Sequence, residues 1–197
     1  MPEGAAVETP TLPPARRPTP SLLTVGTVVW LASELMFFGA LFAAYFTLRA
    51  EASVWPPDDV TLETMVAAIA TAILISSSGT IHLAGRALAR DNAAAARWWL
   101  LVTLALGAVF LANVIREFLV LDFQISSNSY GSMYYLMTGF HGLHVTAGLV
   151  LLVIGAVLVS GPGPLRRREA PVESITYYWH FVDVVWIALF TTLFIIR

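Results

Sequence analysis

Charged residues are so unevenly spaced along this chain that they leave five long apolar stretches. Uncharged runs of 22, 18 and 43 residues separate Glu63 from Arg86, Arg97 from Arg116, and Asp122 from Arg166. Two further runs, one on each side of these, hold a single charge each, Glu34 and Asp183. A helix that crosses a bilayer needs about 20 mostly apolar residues. The pattern therefore predicts an all-α integral membrane protein, a bundle of five transmembrane helices near 21–48, 64–86, 97–120, 131–160 and 174–196.

The longest uncharged run is interpreted as one helix, because its first part, 124–131, is polar and rich in turn-forming residues. Residues 1–20 contain six prolines, and we expect them to form a disordered N-terminal tail. The apolar run after Arg16 and Arg17 is too long for a secretory signal and contains Glu34. Residues 21–197 are therefore expected to form one five-helix domain.

The arginines indicate an orientation, because cytoplasmic loops carry an excess of basic residues. Eight of the 11 arginines lie on the side of the predicted bundle that holds the N-terminus. This asymmetry predicts a cytoplasmic N-terminus and a C-terminus outside. Aromatic residues expected at the two membrane interfaces are Trp98 and Trp99 inside, and Tyr130, Tyr134 and Tyr135 outside.

The composition excludes several classes of function. Hydrophobic residues make up 57% of the chain and charged residues 12%, about half the charge of an ordinary soluble domain. There is no cysteine, so disulfides, thiolate metal sites and cysteine nucleophiles are excluded. The net charge is −2, and no basic tract suggests a nucleic-acid partner.

Glu34 is the first candidate functional residue, because it lies near the middle of a predicted span. A charge in the hydrocarbon core costs about 2.5–3.5 kcal/mol even on lenient insertion scales. Its position is compatible with a proton or ion relay. It is equally compatible with a neutral, hydrogen-bonded group that fixes helix packing or meets a lipid headgroup.

Four further polar residues lie in the last two spans. His141 and His144 are three positions apart, as are His180 and Asp183, so each pair shares a helix face. The approximate depths of these four residues in the membrane would allow all of them to meet in one interhelical network. The spacing alone leaves open a metal or haem site and a polar network that sets helix register. His82, near the inner end of the second span, is interpreted as an interface residue.

Arg116 and Glu117 close the third span near the predicted outer surface. Their adjacency suggests a local ion pair or a contact with lipid headgroups, worth little if exposed. No nucleotide-binding loop, nucleophile elbow or zinc-protease motif is present.

Three sequence runs, in order along the chain, resemble those of subunit III of haem-copper terminal oxidases. They are Ser-Glu-Leu-Met-Phe-Phe-Gly at 33–39, Tyr-Gly-Ser-Met-Tyr-Tyr-Leu-Met-Thr-Gly-Phe-His-Gly-Leu-His-Val at 130–145, and Tyr-Tyr-Trp-His-Phe-Val-Asp-Val-Val-Trp at 177–186. The resemblance covers about 21–197 and is greatest to the short actinobacterial members of the family. Longer members have two additional helices before the first span found here.

The resemblance implies an accessory role in a proton-pumping cytochrome c oxidase of a bacterial cell membrane. Such a subunit carries no haem or copper, stabilises catalytic subunit I, binds lipids and supports proton uptake. Haem a and copper are then expected in partner subunits. The implied partners are oxidase subunits I and II and phospholipids, with a small subunit IV and a cytochrome bc complex as further candidates.

The resemblance also implies that this chain has no catalytic, cofactor-binding or metal-binding residue. Glu34 matches the membrane-embedded glutamate of the family. The expected structural or lipid-associated network comprises Glu34, Glu117, His141, His144, His180 and Asp183. Val114 stands where the family often has glutamine, three residues before Glu117.

Three alternatives remain at this point. Quinol oxidases have a five-helix subunit III with a similar His-Gly-Leu-His run, although the Trp-Pro-Pro loop at 55–57 favours the cytochrome c branch. A small proton-coupled transporter would use Glu34 with the histidines and Asp183, but no inverted repeat is evident. A haem-bearing membrane anchor would show a visible absorption spectrum of its own.

Overall fold

A computed structural model describes residues 21–58 and 60–196. The helices in this part of the chain are α1 (Leu22–Glu51), α2 (Thr64–Leu88), α3 (Ala93–Val120), α4 (Ser129–Ser160) and α5 (Glu169–Phe190). A 3₁₀ turn (Leu165–Arg168) precedes α5, and a π-helical turn (Thr191–Ile195) follows it. Five helical segments are long and apolar enough to cross a membrane, which confirms the predicted all-α, five-span class. The tail predicted at residues 1–20 lies outside the described residues, and the orientation remains a prediction.

Two helices begin earlier than their apolar runs predict. The Asn92 side chain accepts a hydrogen bond of 2.9 Å from the Ala95 amide, and α3 starts at Ala93, four residues before the predicted 97. A run of alanines favours helix immediately after this cap. Helix α5 also begins early, at Glu169 instead of 174. Its first five residues include the charged Glu169 and Glu173, so the apolar run that defined the span does not include them.

Helices α2, α3, α4 and α5 form a closed ring in which each helix packs against two neighbours. Helix α1 lies outside this ring, against α4 and α5. Successive helices are antiparallel because short loops join them. We call the end with the loops at 89–92 and 161–168 the arginine-rich end. The end with the loops at 52–63 and 121–128 is called the aromatic end.

Helix α1 is attached to the ring by one narrow stripe. Its buried residues are seven positions apart, at Thr24, Leu31, Phe38 and Tyr45. A seven-residue repeat keeps one seam of a helix against its neighbours. The rest of α1 is largely exposed on the bundle surface, including Met36 and Val29, which are 77% and 66% exposed.

Tyrosines pack inside the aromatic end. Tyr130 and Tyr134 are buried between helices and do not face an interface as the sequence suggested. The Tyr130 hydroxyl donates to the Leu193 carbonyl at 3.3 Å. Trp55 Nε1 donates at 2.9 Å to the hydroxyl of buried Tyr45. A tyrosine whose hydroxyl finds a partner can be buried with its whole ring.

Trp179 of α5 lies at the centre of the ring. A Cβ atom added at Gly107 of α3 would lie 2.5 Å from the Trp179 ring, and one added at Gly148 of α4 would lie 2.9 Å from it. The indole Nε1 donates to Ser77 Oγ of α2 at 2.8 Å. All four helices of the ring therefore meet at this one side chain, and the two glycines make room for it.

Arg168 closes the connection between α4 and α5. Its guanidinium is largely buried and donates to three backbone carbonyls, those of Val159 at 2.7 Å, Gly161 at 2.6 Å and Gly163 at 3.2 Å. The last carbonyls of a helix have no partner within the helix. Arg168 therefore caps α4 and fixes the loop that leads into α5.

Replacing Arg168 by methionine is expected to destabilise this connection by about 2 kcal/mol, because the carbonyls lose charge-assisted hydrogen bonds. The expected result is a lower midpoint of thermal unfolding and faster proteolysis within 161–168. Arg167→Met is the matched control, because Arg167 is exposed and has no side-chain hydrogen bond with the described residues. Equal effects of the two substitutions would contradict the capping role.

Candidate functional site

The membrane-embedded polar residues form separate small groups, and the first joins α1 to α4. Glu34 Oε2 lies 3.2 Å from His144 Nε2, and the two side chains are 23% and 15% exposed. His144 Nδ1 lies 2.7 Å from the carbonyl oxygen of Phe140. A carbonyl oxygen can only accept, so Nδ1 carries a proton. The contact between Glu34 and Nε2 then needs one further proton, on either the carboxyl or the imidazole.

The second group joins α2 to α5. Ser78 of α2 donates to Asp183 Oδ2, and its Oγ lies 3.0 Å from His180 Nδ1. His180 and Asp183 are 3.9 Å apart at their nearest charged atoms. Because the Ser78 proton points to Asp183, its oxygen accepts from His180. The serine thus links the histidine to the buried carboxyl.

A cleft of about 570 Å³ opens beside this group at the arginine-rich end, between α2 and α5. His82 lines it together with His180 and Glu173. The His180 side chain is 40% exposed, whereas Asp183 is buried. The second group is therefore reachable from the cleft through His180.

Glu117 and Arg116 face different directions. Glu117 is buried and accepts a 2.8 Å hydrogen bond from the Tyr134 hydroxyl, which joins α3 to α4. Arg116 is half-exposed and pairs at 2.8 Å with Glu63, the residue before α2. The local pair suggested between Arg116 and Glu117 is therefore replaced by two contacts. Adjacent helical residues point about 100° apart, so one faces the bundle and the other its surface.

The pair between Arg116 and Glu63 is expected to contribute little to stability. The hydrogen bond and charge of Arg116 hold the pKa of Glu63 below its ordinary value of 4.5. A lowered pKa contributes stability above pH 4.5 that is lost as the pH falls through the lowered value. Because the pair is exposed, we expect Arg116→Gln to change the midpoint of thermal unfolding only slightly, both at pH 7 and below pH 4. A large loss at pH 7 that disappears at low pH would contradict this expectation.

His141 stands apart from the other three residues of the last two spans. It is completely buried, and neither ring nitrogen has a hydrogen-bond partner among the described residues. Its ring stacks on Trp186 of α5, with centroids 4.9 Å apart. The four residues that the sequence grouped together are thus divided among His144 with Glu34, His180 with Asp183, and His141 among aromatic rings.

Sequence reasoning missed the hydroxyl partners on α2. Thr71 Oγ1 accepts from Trp186 Nε1 at 2.9 Å, and Ser77 accepts from Trp179. Thr71 and Ser78 are seven positions apart and therefore share one face of α2. This spacing was the sequence signal that could have identified the hydroxyl-bearing face. No three His, Asp or Glu side chains in the described part of the chain converge as metal ligands do.

Comparison with known proteins agrees with this architecture. The family model for cytochrome c oxidase subunit III matches residues 18–196. A probable cytochrome c oxidase subunit 3 of Nocardia farcinica is 44% identical over 184 residues, covering 90% of each chain. The cytochrome c oxidase subunit 3 of Thermostichus vulcanus is 43% identical over 179 residues, covering 90% of this chain and 89% of its own. A probable subunit 3 of Mycobacterium tuberculosis is 42% identical over 183 residues, covering 90% of each. The chain belongs to the cytochrome c oxidase subunit III family.

Proposed function

We propose that this chain is an accessory, redox-free subunit of a proton-pumping cytochrome c oxidase in a bacterial plasma membrane. It stabilises catalytic subunit I, binds phospholipids and supports proton uptake. Haem a and copper belong to its partner subunits. Subunits I and II are the proposed protein partners, with a small subunit IV and a cytochrome bc complex in larger assemblies.

One observation carries this proposal: the polar groups of the described spans tie helices together in pairs and do not converge on one centre. Glu34 and His144 join α1 to α4, Ser78 joins α2 to α5 through Asp183, and Tyr134 joins α4 to α3 through Glu117. Polar residues within a bundle commonly act as such interhelical contacts. This arrangement suits a scaffold that supports a neighbouring catalytic subunit.

Support for proton uptake comes from the contact between Glu34 and His144. Glu34 Oε2 and His144 Nε2 lie 3.2 Å apart, and neither side chain is fully buried. Ionisable residues in membrane spans are functional candidates because they are costly to insert. The pair is therefore the proposed point at which this subunit exchanges protons with its surroundings.

Purification through a tag on this chain in mild detergent tests the proposal. We expect absorbance of haem a and a large haem-copper subunit in the same preparation, and no haem in this chain once it is stripped from the complex. Mass spectrometry and an optical spectrum of the same sample give the readout. A lone chain that retains haem, or one that never co-purifies with an oxidase, would overturn the proposal.

The orientation can be tested with single cysteines, because the chain has none of its own. Ser53→Cys and Ala89→Cys place a thiol on an exposed loop at each end of the bundle. With the N-terminus cytoplasmic, an impermeant maleimide should label position 53 in intact spheroplasts, and position 89 only after permeabilisation. The reverse pattern would contradict the proposed orientation.

A further inference from the structure

A groove on the surface between α3 and α4 lies at the arginine-rich end. One part of it is a cleft of about 410 Å³ lined by Arg97, Leu101, Val153, Val157 and Ser160, among others. A second cleft of about 350 Å³ adjoins it, because Arg97, Ser160 and Gly161 line both. Arg168 is part of the wall of the second cleft. The two clefts form one continuous groove.

The groove is positively charged. Neither cleft is lined by an acidic side chain. Arg97 is exposed and forms no ion pair or side-chain hydrogen bond with any residue in the described ranges. Arg168 donates to backbone carbonyls, which leave its charge uncompensated. The chemistry of the groove therefore favours an anion. The cleft between α2 and α5 differs, because Glu169 and Glu173 line it together with Arg86.

The same groove has an apolar floor that continues away from Arg97. Leu101 follows Arg97 by four residues of α3, about 6 Å along the axis. On α4, Val153 and Val157 are 46% and 67% exposed. Trp98, beside Arg97, is 63% exposed, as is usual for tryptophan at a membrane interface. An inorganic anion would use the arginines but leave this apolar surface without a role.

We propose that the groove binds one anionic phospholipid, with its phosphate at Arg97 and an acyl chain along Val153 and Val157. Basic pockets between transmembrane helices are known to bind acidic headgroups. The inference rests on the lipid binding in the proposed function and assigns it a place, a charge and a chain direction. The bound lipid would lie along the surface groove between α3 and α4.

Native mass spectrometry of the delipidated oxidase complex, titrated with dioleoyl phosphatidylglycerol or dioleoyl phosphatidylcholine, tests this site. Arg97→Gln should weaken binding of one phosphatidylglycerol about tenfold, because the phosphate loses a charge-assisted hydrogen bond. Arg90→Gln is the matched control, since Arg90 is exposed at the same end and lines neither cleft. Val157→Trp should also weaken binding by filling the groove. Val184→Trp, at a position 62% exposed on α5, should leave it unchanged.

The outcomes separate the alternatives. Equal binding of the two lipids, or equal effects of the Arg97 and Arg90 substitutions, would overturn the proposal. An effect of Arg97→Gln without one of Val157→Trp would indicate an inorganic anion site and also overturn it. The same spectra report subunit composition. An intact oxidase with an unchanged lipid profile overturns the lipid site alone, whereas absence of oxidase subunits overturns the proposed function on which it rests.

Discussion

Gly107→Ala is expected to lower the stability of the complex by about 1–3 kcal/mol, the usual cost of forcing extra volume into a packed interior. The added Cβ would lie 2.5 Å from the ring of Trp179. The Trp179 indole cannot shift easily, because Gly148 lies against it and its Nε1 donates a hydrogen bond to Ser77. The midpoint of thermal unfolding in detergent measures the effect.

Gly139→Ala provides the control for this substitution. A Cβ at Gly139 meets nothing within 4 Å, although the residue lies in α4 like Gly148. Both substitutions raise helix propensity equally, so the difference between them isolates the contact with Trp179. If Gly107→Ala proves as stable as Gly139→Ala, Trp179 does not hold the four helices in the way described.

His144→Leu is expected to loosen α1 by about 1–3 kcal/mol, because Glu34 loses its partner in a largely apolar setting. Glu34→Gln should be tolerated, since an amide can still donate to His144 Nε2. The double substitution Glu34→Leu with His144→Leu should recover most of the loss, because replacing both partners leaves no orphaned polar group. Retention of this chain on the oxidase after heating, followed by gel filtration, is the measurement.

His82→Leu is the matched control for this series, because His82 is an exposed histidine with no side-chain hydrogen bond to the described residues. Additive single effects in the double variant would contradict a direct contact between Glu34 and His144. If the proposed accessory role is right, the initial rate of O₂ reduction by the assembled Glu34→Gln complex should be nearly unchanged. Immediate and complete loss of that rate would refute the accessory role.

The spacing of charged residues was sufficient to predict the five helices, because a membrane span is defined by one dominant requirement. The helix starts were less predictable. Asn92 caps α3, and α5 begins at the charged Glu169, so both helices extend beyond their apolar runs. A capping residue or a charged first residue adds helix without adding hydrophobicity, so an analysis based on apolar runs does not detect it.

The sequence identified ionisable residues that form interhelical contacts, but it did not identify their partners. His141 and His144 share a helix face by spacing, yet one stacks on Trp186 and the other meets Glu34. Which neighbouring helix each side chain faces depends on the order of helices around the ring. That order is a tertiary property, and the position of α1 outside the ring was not evident from any local pattern.

The position of α1 also sets the order in which the protein folds. Its contacts reach far along the chain: Thr24 bonds Glu173, 149 residues later, and Glu34 meets His144, 110 residues later. At a synthesis rate of roughly 5–20 residues per second, the partners of α1 are synthesised roughly 6–30 seconds after it. During that time we expect α1 to lie in the membrane without them. We expect α4 and α5 to pack into the ring first, because α1 packs against these two helices and has no surface to join before then. Throughout that interval Glu34 lies in the membrane without its histidine, so this helix must be inserted with its glutamate neutral or held by water.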